Sequence, residues 1–314
     1  KLLYMKILVA TEKPFAKKAT DEMRNIAQSA GVELVLLEKY TDVNDFYRAV
    51  ETVDGLIVRS DKVTKEVVAH AKNLKIVVRA GARFDNLDLA ACTERKIVCM
   101  NTPGQNSNAV AELAIGMMIF MARNTFAGGT GSELKGKTLG IHAYGNVGRL
   151  VGLLGKAFGM NVIAFDPFVK RENVEKDGVG YVETIEDLYK KANYISLHIP
   201  ANDKTKKSIN YALLSLMPQG AFLINTARKE VVNEEDLVKL MAEREENGNF
   251  LLSRKRLESK KVWAELKEKF GNRVFATPKK MGAETSEANI NAGLAAIRQA
   301  IGFLKDGIDK FRVN

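Results

Sequence analysis

One stretch constrains this chain more than any other: Lys137–Asp166, KTLGIHAYGNVGRLVGLLGKAFGMNVIAFD. Thr138–Ala143 is a short apolar run of strand length. Gly145 and Gly148 follow it and open a helical pattern with Val147, Val151, Leu154 and Phe158 on one face. Asn161–Phe165 reads as a second buried strand, and Asp166 stands at its end, 18 residues after Gly148. Strand, glycine turn, helix, strand and acid in that order make a dinucleotide-binding βαβ unit. The glycines let backbone N–H groups approach a pyrophosphate. The helix N-terminus offers that anion unpaired N–H groups and a positive dipole end. The carboxylate can accept hydrogen bonds from both ribose hydroxyls of NAD and would repel the 2′-phosphate of NADP. Tyr144, Gly145, Asn146, Val147, Gly148 and Asp166 are therefore candidate cofactor residues. Lys170 and Arg171 follow closely, and a 2′-phosphate that reached them would weaken the preference for NAD. One departure is visible. Ala143 occupies the place of the first glycine of G-x-G-x-x-G.

With 314 residues the chain has room for two domains. Before residue 103, strand patterns (Lys6–Ala10, Glu33–Leu37, Gly55–Arg59, Lys75–Arg79, Ile97–Met100) alternate with helical ones, as in a doubly wound parallel sheet. A long helix is expected over Ala109–Arg123. Beyond Glu112 it carries almost no charge, so it should be buried rather than solvent-facing. Further strands are expected at Tyr194–Ile199, Ala221–Asn225 and Val274–Ala276, with a last helix over Glu284–Leu304. The segment 245–261 is polar and basic, with Phe250–Leu252 its one strand-like run. The net charge is +10, but the basic residues form no aromatic-interleaved stripe or tail, which argues against nucleic acid. A basic balance also favours a small anionic substrate. No apolar run is long enough to span a membrane and no signal peptide is visible, so a cytoplasmic protein is expected. Cys92 and Cys99 have neither metal nor redox spacing, and no metal site is expected.

Several separate blocks together resemble the D-2-hydroxyacid dehydrogenases, and within them the short phosphoglycerate dehydrogenase branch. They are Val58-Arg59-Ser60, Arg79-Ala80-Gly81 with Asp85-Asn86, Asn101-Thr102-Pro103 with Asn106-Ser107, the glycine turn, Leu197-His198-Ile199-Pro200, and Asn225-Thr226-Ala227-Arg228. The resemblance implies an α/β protein of two doubly wound parallel-sheet domains. A Rossmann-type nucleotide domain (103–284) would be inserted into a flavodoxin-like substrate domain (1–102 and 285–314). It further implies that Arg59, Ser60, Gly81 and Asn106 face the substrate, with Arg59 on a phosphate. Arg228 would hold the substrate carboxylate, Asn225, Thr226 and Ala227 would line the nicotinamide side, and His198 and Pro200 the adenosine side. The implied reaction is NAD-dependent oxidation of 3-phosphoglycerate, in a homodimer joined through Ala109–Arg123 and its neighbours. The further C-terminal domain of longer relatives is expected to be absent.

Departures from the family pattern bear on the chemistry. The catalytic histidine of the family follows a Thr-Pro or Cys-Pro pair, but here the chain reads Thr277-Pro278-Lys279-Lys280-Met281-Gly282-Ala283. Anchoring on Pro278 puts Lys279 at the histidine's place, and anchoring on Gly282-Ala283 puts Lys280 there. A lysine is therefore the expected acid/base. Glu258 and Ser253 stand where the family has a glutamate and an aspartate. Of the three histidines, His70 and His142 read as structural and His198 as a cofactor wall. Three functions stay open: a phosphoglycerate dehydrogenase, a non-catalytic NAD-sensing interaction protein, and a reductase of an unphosphorylated 2-keto acid.

Overall fold

The computed structural model describes residues 5–244, 251–255, 260–277 and 281–314. The chain divides into two compact units, Lys1–Asn106 with Glu284–Asn314, and Ser107–Ala283.

The first unit alternates strand and helix: β1 (Lys6–Thr11), α1 (Lys17–Ser29), β2 (Glu33–Glu38), α2 (Val43–Val50), β3 (Gly55–Val58), α3 (Lys65–His70), β4 (Ile76–Arg79), α4 (Leu89–Glu94) and β5 (Val98–Asn101). Its five strands are parallel in the order β2-β1-β3-β4-β5, with the direction of winding reversing between β1 and β3. Alternation along β1 supplies a core on each face. Ile7 and Val9 enter one, and Leu8 and Ala10 the other. Helices on both faces are why β3 can be an unbroken apolar run. Asp42, Thr64 and Asp88 cap the starts of α2, α3 and α4 with side-chain oxygens.

The second unit runs α5 (Ser107–Ala122), β6 (Thr138–His142), α6 (Asn146–Ala157), β7 (Asn161–Phe165), α7 (Arg171–Glu175), β8 (Gly180–Tyr181), α8 (Ile185–Lys191), β9 (Tyr194–Leu197), α9 (Tyr211–Leu214), β10 (Phe222–Asn225), α10 (Glu234–Glu243), β11 (Leu251–Lys255), α11 (Lys260–Phe270) and β12 (Val274–Thr277). Read from β8, the sheet order is β8-β7-β6-β9-β10-β11-β12, all parallel. This is the doubly wound nucleotide-binding order extended by one strand, with its switch point between β6 and β9. Helix α5 packs on α6 and β10. Ala111, Ala114, Met118 and Met121 are buried, while Glu112 and Gly116 are exposed, so the helix is sunk along one side and not all round. The strand expected to reach Ile199 stops at Leu197 as the chain turns toward Pro200.

The last helix, α12 (Ser286–Asp306), belongs to the first unit, where it packs on α1, β3 and β4. Gly307 ends it in a left-handed cap at φ 69°. The final residues then lie along β5. The Val313 N–H donates to the Cys99 carbonyl at 2.8 Å, the Cys99 N–H donates to Asn314 Oδ1 at 2.8 Å, and Arg312 bridges Met100 in antiparallel fashion. An edge strand that would otherwise expose its ladder is thereby covered.

Candidate functional site

At the carboxyl edge of the second sheet, the chain leaves β6 through Ala143, whose φ is 78°. The Ala143 N–H donates to the Phe165 carbonyl at 2.9 Å, and the Tyr144 N–H donates to Asp166 Oδ2 at 2.8 Å. The other Asp166 oxygen accepts from the Phe168 N–H at 2.8 Å. Asp166 is thus 6% exposed, with both oxygens already engaged by backbone. The glycines differ in purpose. A Cβ at Gly148 would lie 2.1 Å from the Ala143 carbonyl oxygen, so only glycine lets α6 seat against the turn. A Cβ at Gly145 would meet nothing within 4 Å, which leaves an open floor before α6. No side chain caps α6, so its first-turn N–H groups remain available to an anion. Asn146 is exposed and Val147 half-buried. Tyr144 contributes backbone only on this side. Its ring is buried, and its hydroxyl donates to Asp177, which also takes two hydrogen bonds from Arg149 at 2.6 and 2.8 Å.

At the switch point, the His198 N–H donates to the His142 carbonyl at 3.0 Å. His198 Nε2 lies 2.9 Å from Ser196 Oγ, and its Nδ1 lies 3.4 Å from Thr226 Oγ1. Burial, with His142 nearby, pushes the His198 imidazole down to about 3. Burial alone pushes His142 down to about 4. Both rings are therefore neutral at physiological pH. One strand over, the buried Asn225 side chain accepts from the Ala227 N–H at 3.0 Å and donates to the Arg228 carbonyl at 3.1 Å. That pair of bonds shapes the Thr226–Ala227–Arg228 turn. The Arg228 guanidinium is half-buried and engaged by no hydrogen bond or ion pair among the described residues. Pro200 is exposed.

In the first unit, Arg59 follows β3 at the reversal between β1 and β3. Its Nη1 donates to the Lys13 and Pro14 carbonyls at 3.2 and 3.1 Å, its Nη2 to Asn289 Oδ1 at 2.6 Å, and the group lies 5.1 Å from the Phe15 ring centre. Gly81 has φ 149°, and a Cβ there would fall 1.7 Å from Arg79 Nη1. Arg79, to which the sequence reading gave no role, therefore lies across the Gly81 backbone, with its Nε donating to the Arg59 carbonyl at 2.9 Å. Its sequence signal is a cation at the carboxyl end of an apolar strand, a position that Arg59 shares. Ser60 is exposed and Asn106 half-buried. Lys279, Lys280 and Glu258 lie outside the described residues. Ser253 lies in β11, paired with Ile224 and Phe275.

The sequence pattern of the D-isomer specific 2-hydroxyacid dehydrogenase NAD binding domain matches residues 116–251. The D-3-phosphoglycerate dehydrogenase of Methanocaldococcus jannaschii is 37% identical over 243 residues, 73% of this chain and 44% of that protein. The hydroxypyruvate reductase of Thermotoga maritima is 35% identical over 238 residues, 71% of this chain and 75% of that one. The crystal structure of NAD+-bound 3-phosphoglycerate dehydrogenase from Entamoeba histolytica is 46% identical, covers 99% of each chain and superposes with a TM-score of 0.81. The chain belongs to the D-2-hydroxyacid dehydrogenase family. It spans under half the length of the Methanocaldococcus relative and three quarters of the Thermotoga one.

Family membership makes unit two the family's NAD-binding domain, and the residues present suit that cofactor. The floor at Gly145 is open, the α6 N-terminus is uncapped, and a carboxylate ends β7. Neither cation after Asp166 is idle. Arg171 pairs with Glu175 and Glu183 at 2.7 and 2.9 Å, and Lys170 lies 3.8 Å from Glu172.

Proposed function

We propose that the chain is an NAD-dependent dehydrogenase that oxidises D-3-phosphoglycerate to 3-phosphohydroxypyruvate. The observation that carries this reading is the Entamoeba structure, similar over 99% of both chains and named for that activity with NAD+ bound. NAD, when bound, supplies the acceptor for the hydride that leaves substrate C2. Arg228 is the group that holds the substrate carboxylate. A free planar guanidinium can bond two carboxylate oxygens at once and draw charge toward them. A lysine Nζ, at position 279 or 280, takes the proton from the C2 hydroxyl. A lysine begins near ~10.4 and has to be lowered to act as a base, which burial and a neighbouring cation both do. Asp166 binds the adenosine ribose, while His198 and Pro200 wall the adenosine side. Ser60, Gly81 and Asn106 are proposed substrate contacts. The assembly is proposed to be a homodimer through α5, and the half-buried Leu113, Ile119 and Phe120 on that helix support it. Free buried Cys92 and Cys99 are consistent with a cytoplasmic location.

A second reading has its own support. Arg59, the proposed phosphate contact, already serves two carbonyls and Asn289, and the Thermotoga relative is named a hydroxypyruvate reductase. A reductase of an unphosphorylated 2-keto acid is thus the alternative. NADH oxidation with phosphohydroxypyruvate, hydroxypyruvate and glyoxylate side by side separates the two. A clear kcat/KM advantage for the phosphorylated acid supports the first reading, and equal or reversed values overturn it. The same assay with NADPH tests the coenzyme preference.

A further inference from the structure

We propose that Asp166 is the strut of a strained turn, and that Ala143 makes coenzyme affinity depend on that strut. The proposal rests on unit two binding a dinucleotide.

Seven non-glycine residues have positive φ among the described residues. Six of them lie between 51° and 58°, inside the ordinary left-handed basin, and Ala143 stands apart at 78°. An alanine Cβ opposes that backbone, where glycine would not. The conformation persists because its surroundings leave no alternative. On one side the Ala143 carbonyl lies against α6, so close that Gly148 has no space for a Cβ. On the other, the next peptide is tied down by the buried bond from the Tyr144 N–H to Asp166 Oδ2. The second Asp166 oxygen holds the Phe168 N–H. One carboxylate thus joins the turn after β6 to the turn after β7. Charge-assisted bonds to backbone N–H groups are stronger than neutral ones, and burial strengthens them further.

Two roles therefore meet in one side chain. Toward a bound coenzyme, the lone pairs that its two backbone bonds leave over would accept from free ribose hydroxyls. Facing inward, Asp166 keeps Ala143 strained and the floor at Gly145 in place. Replacing Asp166 to admit a 2′-phosphate would remove the repulsion and release the turn together. Affinity would then fall for both coenzymes, because only the fraction of molecules with a formed turn binds. A glycine at 143 forms the turn without strain and so needs no strut.

The test is a double-mutant cycle on the full chain, read by NADH fluorescence titration and by thermal unfolding without nucleotide. Asp166→Ala is expected to weaken NADH binding by about 100-fold alone, and by about tenfold less in the Ala143→Gly background. That difference is the affinity equivalent of one strained alanine. Asp166→Asn retains an acceptor oxygen and should lose less than Asp166→Ala when Ala143 is present. The Tm drop caused by Asp166→Ala should instead be larger in the Ala143→Gly background, because with Ala143 present the loss of the strut also releases the alanine's strain. Equal losses in the two backgrounds, in both measurements, would overturn the proposal. The thermal arm is independent of the cofactor. Coupling in Tm with no NADH binding by the parent chain would keep the strut and reject the dinucleotide reading on which its consequence rests.

Discussion

The carboxyl edges of the two sheets each carry an arginine shortly after a buried apolar strand, Arg59 beyond β3 and Arg228 beyond β10. In sequence the two look alike. In the structure their guanidiniums differ completely. Arg59 is committed to the Lys13 and Pro14 carbonyls, to Asn289 and to the Phe15 ring, so it binds β3 to the segment after β1 and to α12. Arg228 has its backbone fixed by Asn225 and its guanidinium unengaged among the described residues. The difference teaches that a cation at a sheet's carboxyl end is a site only if nothing within its own unit has already satisfied it. It also separates two kinds of evidence, because loss of Arg59 should register in stability and loss of Arg228 in turnover.

The largest effect is expected where unit two supplies the chemistry. Substituting Lys279 and Lys280 singly by methionine should leave NADH affinity unchanged, and one of the two should cut kcat by ~10²–10⁴-fold. Parent-like turnover in both variants would end the lysine mechanism. Arg228→Ala should reduce kcat/KM by about 10²–10³-fold, the loss of a bidentate charge-assisted contact, with Tm unchanged within error. A Tm drop as large as that of the Arg59 variant would erase the contrast between the two arginines. Arg59→Ala should lower stability by about 2 kcal/mol through its lost carbonyl and Asn289 bonds, seen as a Tm decrease of several degrees. Its KM effect sharpens the comparison. A rise for phosphohydroxypyruvate but not glyoxylate means that the group also reads a phosphate, whereas equal effects make it structural alone.

The effect that is smallest at neutral pH, and grows only in acid, concerns the histidines at the switch point. Both titrate lower in the fold than the ~6.5 of an exposed imidazole, His142 about 4 and His198 about 3. Below pH ~6.5 the unfolded chain therefore binds more protons than the folded one. The stability from keeping them neutral is complete above that pH and is lost as pH falls toward 4 and then 3. The slope is at most ~1.4 kcal/mol per pH unit for each histidine. Denaturant midpoints of His142→Gln between pH 4 and 6.5 should fall less steeply than those of the parent. Parallel profiles would show that the ring is solvated rather than buried.

Much of the architecture could be read from the residues. Apolar strands at regular spacing located β1 to β5, and the Gly145–Gly148 turn with Asp166 located the nucleotide edge, because both depend on local backbone chemistry. Helices α7, α8 and α9 and the two-residue β8 escaped notice, being too short for a hydrophobic period to build up. The left-handed geometry of Ala143 was hidden for a different reason. The alanine was visible as a departure, but the φ it adopts is held in part by the bond from the next residue's N–H to Asp166, 22 positions further along the chain. The commitment of Arg59 was equally hidden, since Asn289 lies 230 positions away.

The closing segment along β5 has a consequence for how the protein is made. Cys99 and Asn314 are 215 positions apart, and Ile97 and Asn314 are 217. At roughly 5–20 residues per second, a ribosome needs about 10–40 s to travel between them. Late in that interval the second unit has all its residues and can fold first, while the β5 edge still has no covering strand and α12 is not yet complete. The nascent chain therefore carries a finished inner unit and an outer sheet with one open edge, the form most exposed to pairing with a neighbouring chain.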